Sequence, residues 1–250
     1  MITISIFNLQ SSIFNVQCSI FNVHSSLSMK EILSFLTLLG QNNNKPWFDE
    51  HKAQYLDVKK RFDAFAMEFA RGVAEFDPRC EGLQLRDITY RIYRDLRFSQ
   101  DKRPYKDWFG VYVCPGGKKS GMAGYYIHLQ PATNTYFLCG GLYNPTKEVV
   151  KSVREMIMLE PEQLLAALKQ CDDFTLPWDA ALKKVPQGYS DTDEQSPYYR
   201  LKSYEIYKPI TKRDVLKKDF LQTALADLRR THDYNEMLNR SVDYAREVMF

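Results

Sequence analysis

Residues Arg91 to Gly110, RIYRDLRFSQDKRPYKDWFG, place four arginines, two lysines, three aspartates and five aromatics within twenty positions. Guanidinium groups grip planar carboxylates and phosphates through paired hydrogen bonds, and aromatic rings stack on bases and sugars. Arg91, Arg94, Arg97, Lys102 and Lys106 are therefore candidate anion ligands. Tyr105 would add stacking or a hydroxyl donor, and Asp95 would orient an arginine. Cations this close repel one another within a screening length of about 10 Å unless an anion or carboxylates sit among them. One reading is a basic pocket for a phosphorylated or otherwise anionic small molecule or nucleotide. The other is an Arg/Asp/Lys ion-pair network that fastens the fold, leaving a non-enzymatic protein-interaction or structural module. They differ in how many of Arg91, Arg94, Arg97 and Lys102 lack a carboxylate partner.

The segment YYIHLQ is the second feature. Strand alternation puts Tyr126, His128 and Gln130 on one face and Tyr125, Ile127 and Leu129 on the other. The polar row is a ligand wall if it faces a pocket, and an ordinary solvent-facing row if it does not. His128 is the best general acid or base available, because imidazole changes charge near neutral pH. Asp95 and Tyr105 are weaker catalytic candidates, and Lys202 in RLKS is placed to close the site. Whether the chain is an enzyme stays open.

Other chemistry is poorly supported. In PGGKKSGMAG, Gly116 and Gly121 have phosphate-loop spacing, but Met122 and Ala123 stand where that loop needs Lys and Ser/Thr. A hairpin loop with glycines at positive φ is the better account, its Lys118 and Lys119 extending the basic surface. The four histidines share no ligand spacing, and Asp191 and Asp193 in SDTDEQS read as a solvated acidic loop. No metal and no cofactor is implied.

The elements that must position these residues follow from periodicity. Ile32, Leu33, Phe35, Leu36 and Leu39 mark a helix ending at Gly40. A long helix with an aromatic inner face runs from Pro46 to Asp77. Strands are predicted near Ile88 to Tyr93, Phe109 to Cys114, Gly124 to Gln130 and Thr135 to Gly140, with connections short enough for antiparallel pairing. Helices resume at Pro145 to Leu159 and Pro161 to Lys169. The stretch Asp172 to Pro209 reads as irregular, and a last helix runs from Thr211 to Val248. The sum is an α+β fold, a single domain over 29–250 with a central antiparallel β-sheet flanked by N-terminal and C-terminal helices.

A net charge of +3 over 250 residues argues against a broad nucleic-acid coat, but Arg86 to Lys119 holds nine Lys or Arg against four Asp, so the basic charge is local. Five scattered cysteines without a C-x-x-C point to reduced thiols in a cytoplasmic protein, and no apolar run is long enough to span a membrane. Residues 1–28 carry three heptapeptide copies beginning at Ser5, Ser12 and Ser19. Their apolar pairs are adjacent, which suits neither a coiled coil nor a secretory signal. They read as a non-native or disordered extension upstream of an initiating Met29.

The Arg91–Gly110 segment also resembles the bacterial family called domain of unknown function 2461, through R-x-x-R-D-x-R-F-x-x-x-K-x-P-Y-[KN]-x-x-F-G. Arg91, Arg94, Asp95, Arg97, Phe98, Lys102, Pro104, Tyr105, Lys106, Phe109 and Gly110 meet every fixed position. The likeness extends through NNNKPWFDEHKAQY, PGGKKSGMAGYYIHL, GGLYNP and RLKSY. It implies a conserved hypothetical protein of about this length and carries no activity to transfer.

Overall fold

The computed structural model describes residues 29–97 and 99–248. The N-terminal repeat, with Cys18 and His24, lies outside the described residues, as does Phe98. Helix α1 spans 29–41 and buries Ile32, Leu33, Phe35, Leu36 and Leu39, which share one face at helical spacing. Helix α2 (Lys45–Glu50) starts where the Asn44 side chain accepts from the Trp47 amide at 3.1 Å. His51 then leaves helical geometry, so the predicted long helix is broken, and α3 (Lys52–Ala74) carries Phe62, Phe65, Phe69 and Val73 into the core. A short helix α4 (Leu85–Ile88) follows.

Four strands form one antiparallel sheet in the order β1 (Phe109–Val113), β2 (Gly124–Gln130), β3 (Thr135–Leu142), β4 (Tyr204–Pro209). Its core face presents Val111, Val113, Tyr125, Ile127, Leu138 and Ile206, all at most 1% exposed. Between β3 and β4 come α5 (Lys147–Leu159), α6 (Pro161–Gln170) and the short α7 (Ser196–Tyr199). After β4 come α8 (Lys212–Val215), α9 (Phe220–Arg229) and α10 (His232–Val248). The architecture is α+β, as its alternating patterns imply. No described helix is long and apolar enough to cross a membrane.

Three elements differ from the sequence expectation. Residues 88–93 form no strand; Thr89 and Tyr93 make only isolated bridges, to Val111 and Tyr105. The fourth strand is β4, inside the stretch expected to be irregular, where Tyr204 and Ile206 point inward and the strand pairs with β3. The last helix is three. It stops at Arg229, and the buried Thr231 hydroxyl bonds back to the Leu228 carbonyl at 2.8 Å in space that Gly140 leaves open.

Helix α10 is fastened to the sheet by two buried asparagines one turn apart. Asn235 accepts from Gly141 N at 2.7 Å and donates to Gly124 O at 3.1 Å. Asn239 accepts from Ala123 N at 2.7 Å and donates to Ala123 O at 3.2 Å. These bonds satisfy strand-end backbone groups that burial would otherwise leave unpaired.

Candidate ligand-binding site

The arginine-rich segment folds as a loop with two paired arms. Arg94 N donates to Pro104 O at 3.0 Å and Lys106 N to Ile92 O at 2.8 Å, around the Tyr93–Tyr105 bridge. Asn43 pins this loop from the first helical layer, donating to Tyr105 O at 2.9 Å and accepting from Tyr105 N at 3.0 Å. The Tyr105 ring is buried in the core and stacks on Phe48 at 3.9 Å. Its ring face is thus taken.

Most of the segment's charge is paired internally. Asp101 bridges Arg94 and Arg103, and these guanidiniums hold its carboxyl well below the usual carboxylate range. Arg97 pairs with Asp95 at 2.6 Å, which lowers the Asp95 carboxyl to about 2. Arg91 is exposed and Lys102 donates to Leu96 O at 3.4 Å; neither has a carboxylate in ion-pair range among the described residues. Lys202 is exposed two residues before β4.

From Arg103 the network turns inward to the sheet. Arg103 contacts Asp107 at 3.0 Å, and the other Asp107 oxygen accepts from Gln130 Nε2 at 2.8 Å. Gln130 Oε1 lies 3.3 Å from His128 Nε2, and His128 Nδ1 lies 2.8 Å from the Tyr126 hydroxyl. With its amide nitrogen committed to Asp107, Gln130 turns its oxygen to the ring, so His128 Nε2 carries the proton and Tyr126 donates to Nδ1. Burial pushes the His128 imidazole below its usual value and both Tyr112 and Tyr126 far above theirs. The pair is therefore neutral imidazole and protonated phenol at neutral pH.

This face of the sheet is the floor of a cavity of about 1000 Å³ with a mainly apolar lining. Tyr112, Tyr126, Cys139 and Tyr207 lie in one cross-strand row, and His128 pairs with Phe137 in the next. His128 is stacked on Phe137 at 4.7 Å and flanked by Trp108 at 5.2 Å. Tyr90, Trp108 and Lys118 lie together in its wall, and Tyr143, Glu205 and Arg246 of α10 also line it. Gly116, Gly117 and Gly121 of the hairpin loop have φ of 72°, 79° and 73°, the positive values expected of its glycines. Gly110 makes room for the floor, since a Cβ there would meet the Tyr126 hydroxyl at 2.4 Å.

Of the sequence candidates, His128, its strand neighbour Tyr126 and the loop residue Lys118 line this cavity. Arg91, Arg94, Arg97, Lys102, Tyr105, Asp95 and Lys202 do not, and Lys106 lies outside the lining with its ammonium 5.3 Å from the centroid of the lining Trp108 ring. Strand alternation already offers Tyr126 as part of a wall; the other lining aromatics were missed although a signal existed. Tyr112 and Phe137, like Tyr126, occupy strand positions opposite the core phase, where a solvated face would carry polar side chains. Cys139 also lines the cavity, but burial and Glu205 push its thiol up, which disfavours the thiolate a nucleophile needs. Among the described residues no group of three or more His, Cys, Asp or Glu could hold a metal ion.

A model of a family described as "Conserved hypothetical protein (DUF2461)" matches residues 31–237. No curated protein and no solved structure matches the chain.

Proposed function

The chain belongs to the conserved hypothetical protein family DUF2461, and from its site we propose that it binds a planar, largely apolar small molecule on the aromatic face of the sheet. The observation that carries this is the cavity itself. It is about 1000 Å³, floored by aromatic side chains from all four strands, with one buried polar pair, Tyr126 and His128, on its floor. Ligand sites characteristically combine an apolar lining with a few convergent polar groups. The Tyr126 hydroxyl, its proton engaged in the hydrogen bond to His128, keeps lone pairs that can accept a directional hydrogen bond from the ligand, and the same pair is the place where a proton could be moved if the ligand is a substrate. The arginine-rich loop supports that site as a positioning network, which joins the ion-pair reading to the ligand reading. Four free cysteines among the described residues support a reducing compartment, as in the cytoplasm.

The test is titration with N-phenyl-1-naphthylamine, a neutral aromatic dye that brightens when it leaves water. We expect one dye per chain, and loss of binding in Cys139→Phe, which fills the floor. Absence of saturable binding, or binding unchanged by that substitution in a folded variant, overturns the reading.

A further inference from the structure

Two lysines share one aromatic wall of this cavity without a carboxylate between them. Lys106 Nζ lies 5.7 Å from the Tyr90 ring centroid and 5.3 Å from that of Trp108, and Lys118 Nζ lies 5.9 Å from Tyr90. Each ammonium is anchored by one backbone carbonyl, Lys106 to Arg91 O at 2.8 Å and Lys118 to Arg86 O. Neither has a carboxylate within ion-pair range among the described residues, although Lys118 feels Asp87 at longer range. In the same segment Arg94, Arg97 and Arg103 are committed to aspartates, whereas Arg91 and Lys102, which also have no carboxylate in ion-pair range among the described residues, are exposed and do not line the cavity.

We propose that the ligand is an aromatic anion, its ring on the Tyr126–Phe137 floor and its carboxylate, sulfonate or phosphate against the Tyr90–Trp108 wall, held directly by Lys118 and attracted at longer range by Lys106, which abuts the same two rings from outside the lining. The proposal rests on the cavity reading above and adds the ligand's charge and its orientation. An ammonium has three donors, so the one carbonyl that Lys118 holds leaves donors for an incoming anion. Burial and the neighbouring Arg91 and Arg94 lower the Lys106 amine, and burial lowers Lys118. An anion would relieve both effects. Glu205, also in the lining but on β4 at the opposite edge of the sheet, disfavours the opposite orientation by like-charge repulsion.

The experiment compares two dyes on the full chain, anilinonaphthalene sulfonate and its neutral counterpart N-phenyl-1-naphthylamine, which differ by the sulfonate. The anionic dye is expected to bind about ten-fold tighter or better, the equivalent of one strong charge-assisted contact. That advantage should shrink as salt is raised from low to high ionic strength and vanish in the Lys106→Gln/Lys118→Gln variant, while the neutral dye is unaffected. Thermal unfolding of the variant checks that it is folded; if it is not, the salt titration on the unaltered chain and the single Lys118→Gln variant decide. Equal affinity for the two dyes, or an advantage that survives both salt and substitution, overturns the anion assignment while leaving the cavity reading intact. If neither dye binds, both readings fall.

Discussion

The Tyr126 hydroxyl sits 2.8 Å from His128 Nδ1, and the other ring nitrogen faces Gln130 Oε1 at 3.3 Å. A histidine bonded at both nitrogens and stacked between Trp108 and Phe137 has one tautomer and one orientation. Gln130 sets that tautomer only because Asp107 takes its amide nitrogen. The floor of the cavity and the arginine-rich loop are thus one hydrogen-bonded unit.

The first expected outcome concerns pH. Burial lowers the His128 imidazole in the folded state, against its ordinary value of 6.5 in the unfolded chain. Below 6.5 the unfolded state binds more protons, so stability is complete above that value and is lost as pH falls toward the folded value. The nearby Asp107 carboxylate opposes the shift without cancelling it. Melting temperatures followed from pH 7.5 to 5 should fall more steeply for the unaltered chain than for His128→Gln. The Asp95 and Asp101 pairs contribute only near and below the ordinary carboxylate value of 3.8, so they do not confuse that window.

Gly110→Ala tests the packing under the pair. The new methyl would meet the Tyr126 hydroxyl at 2.4 Å and its ring at 2.7 Å, so the ring must move off His128. Overpacking of this kind costs about 1–3 kcal/mol. Tyr126→Ala removes the obstacle, so the double variant should be more stable than the sum of the two single losses predicts. Additive losses in denaturant unfolding would show that the glycine answers to something else.

Asn239 is a second place where one side chain carries a local structure. Asn239→Ala leaves the Ala123 amide and carbonyl without partners at a buried strand end, a loss of about 1–3 kcal/mol. Asn239→Asp keeps an acceptor for the amide but turns a carboxylate oxygen toward the Ala123 carbonyl. Its deficit should therefore be larger at pH 7 than at pH 4, where a protonated carboxyl can donate; equilibrium unfolding at the two values distinguishes this from a simple packing loss.

Part of this design was legible before any coordinates. Strand alternation places Tyr126, His128 and Gln130 on one face, and Asp95 does orient an arginine, Arg97, although the acid that takes the half-buried Arg94 is Asp101. Arg91 and Tyr93 are exposed and Ile92 is buried, as alternation implies, yet the arm pairs within its own loop and adds no fifth strand. β4 escaped because its inward signal is two residues, Tyr204 and Ile206, and its partner β3 is some sixty positions away. The cavity escaped for the same reason. Its wall runs from Tyr90 to Arg246, and no local pattern encodes that Lys118, Phe137 and Arg246 border one space.

The charge network makes the final prediction, because it assigns opposite consequences to two aspartates of the same motif. Asp107 has a side chain only 6% exposed and holds both Arg103 and Gln130. Asp107→Ala removes the acceptor that orients Gln130, so Gln130 can turn and His128 loses its fixed tautomer. The stability cost should be about 2 kcal/mol, less than for a fully buried pair because Arg103 is half-exposed and can rehydrate. Binding of the neutral dye should weaken as well, although Asp107 does not line the cavity. Asp95, in contrast, pairs with Arg97 where both side chains are largely open to water. Asp95→Ala should leave both stability and dye affinity essentially unchanged. Denaturant unfolding and dye titration of the two variants provide the check: equal effects would mean that the network stops at the loop surface, and a selective effect of Asp107 would mean that it reaches the floor of the site.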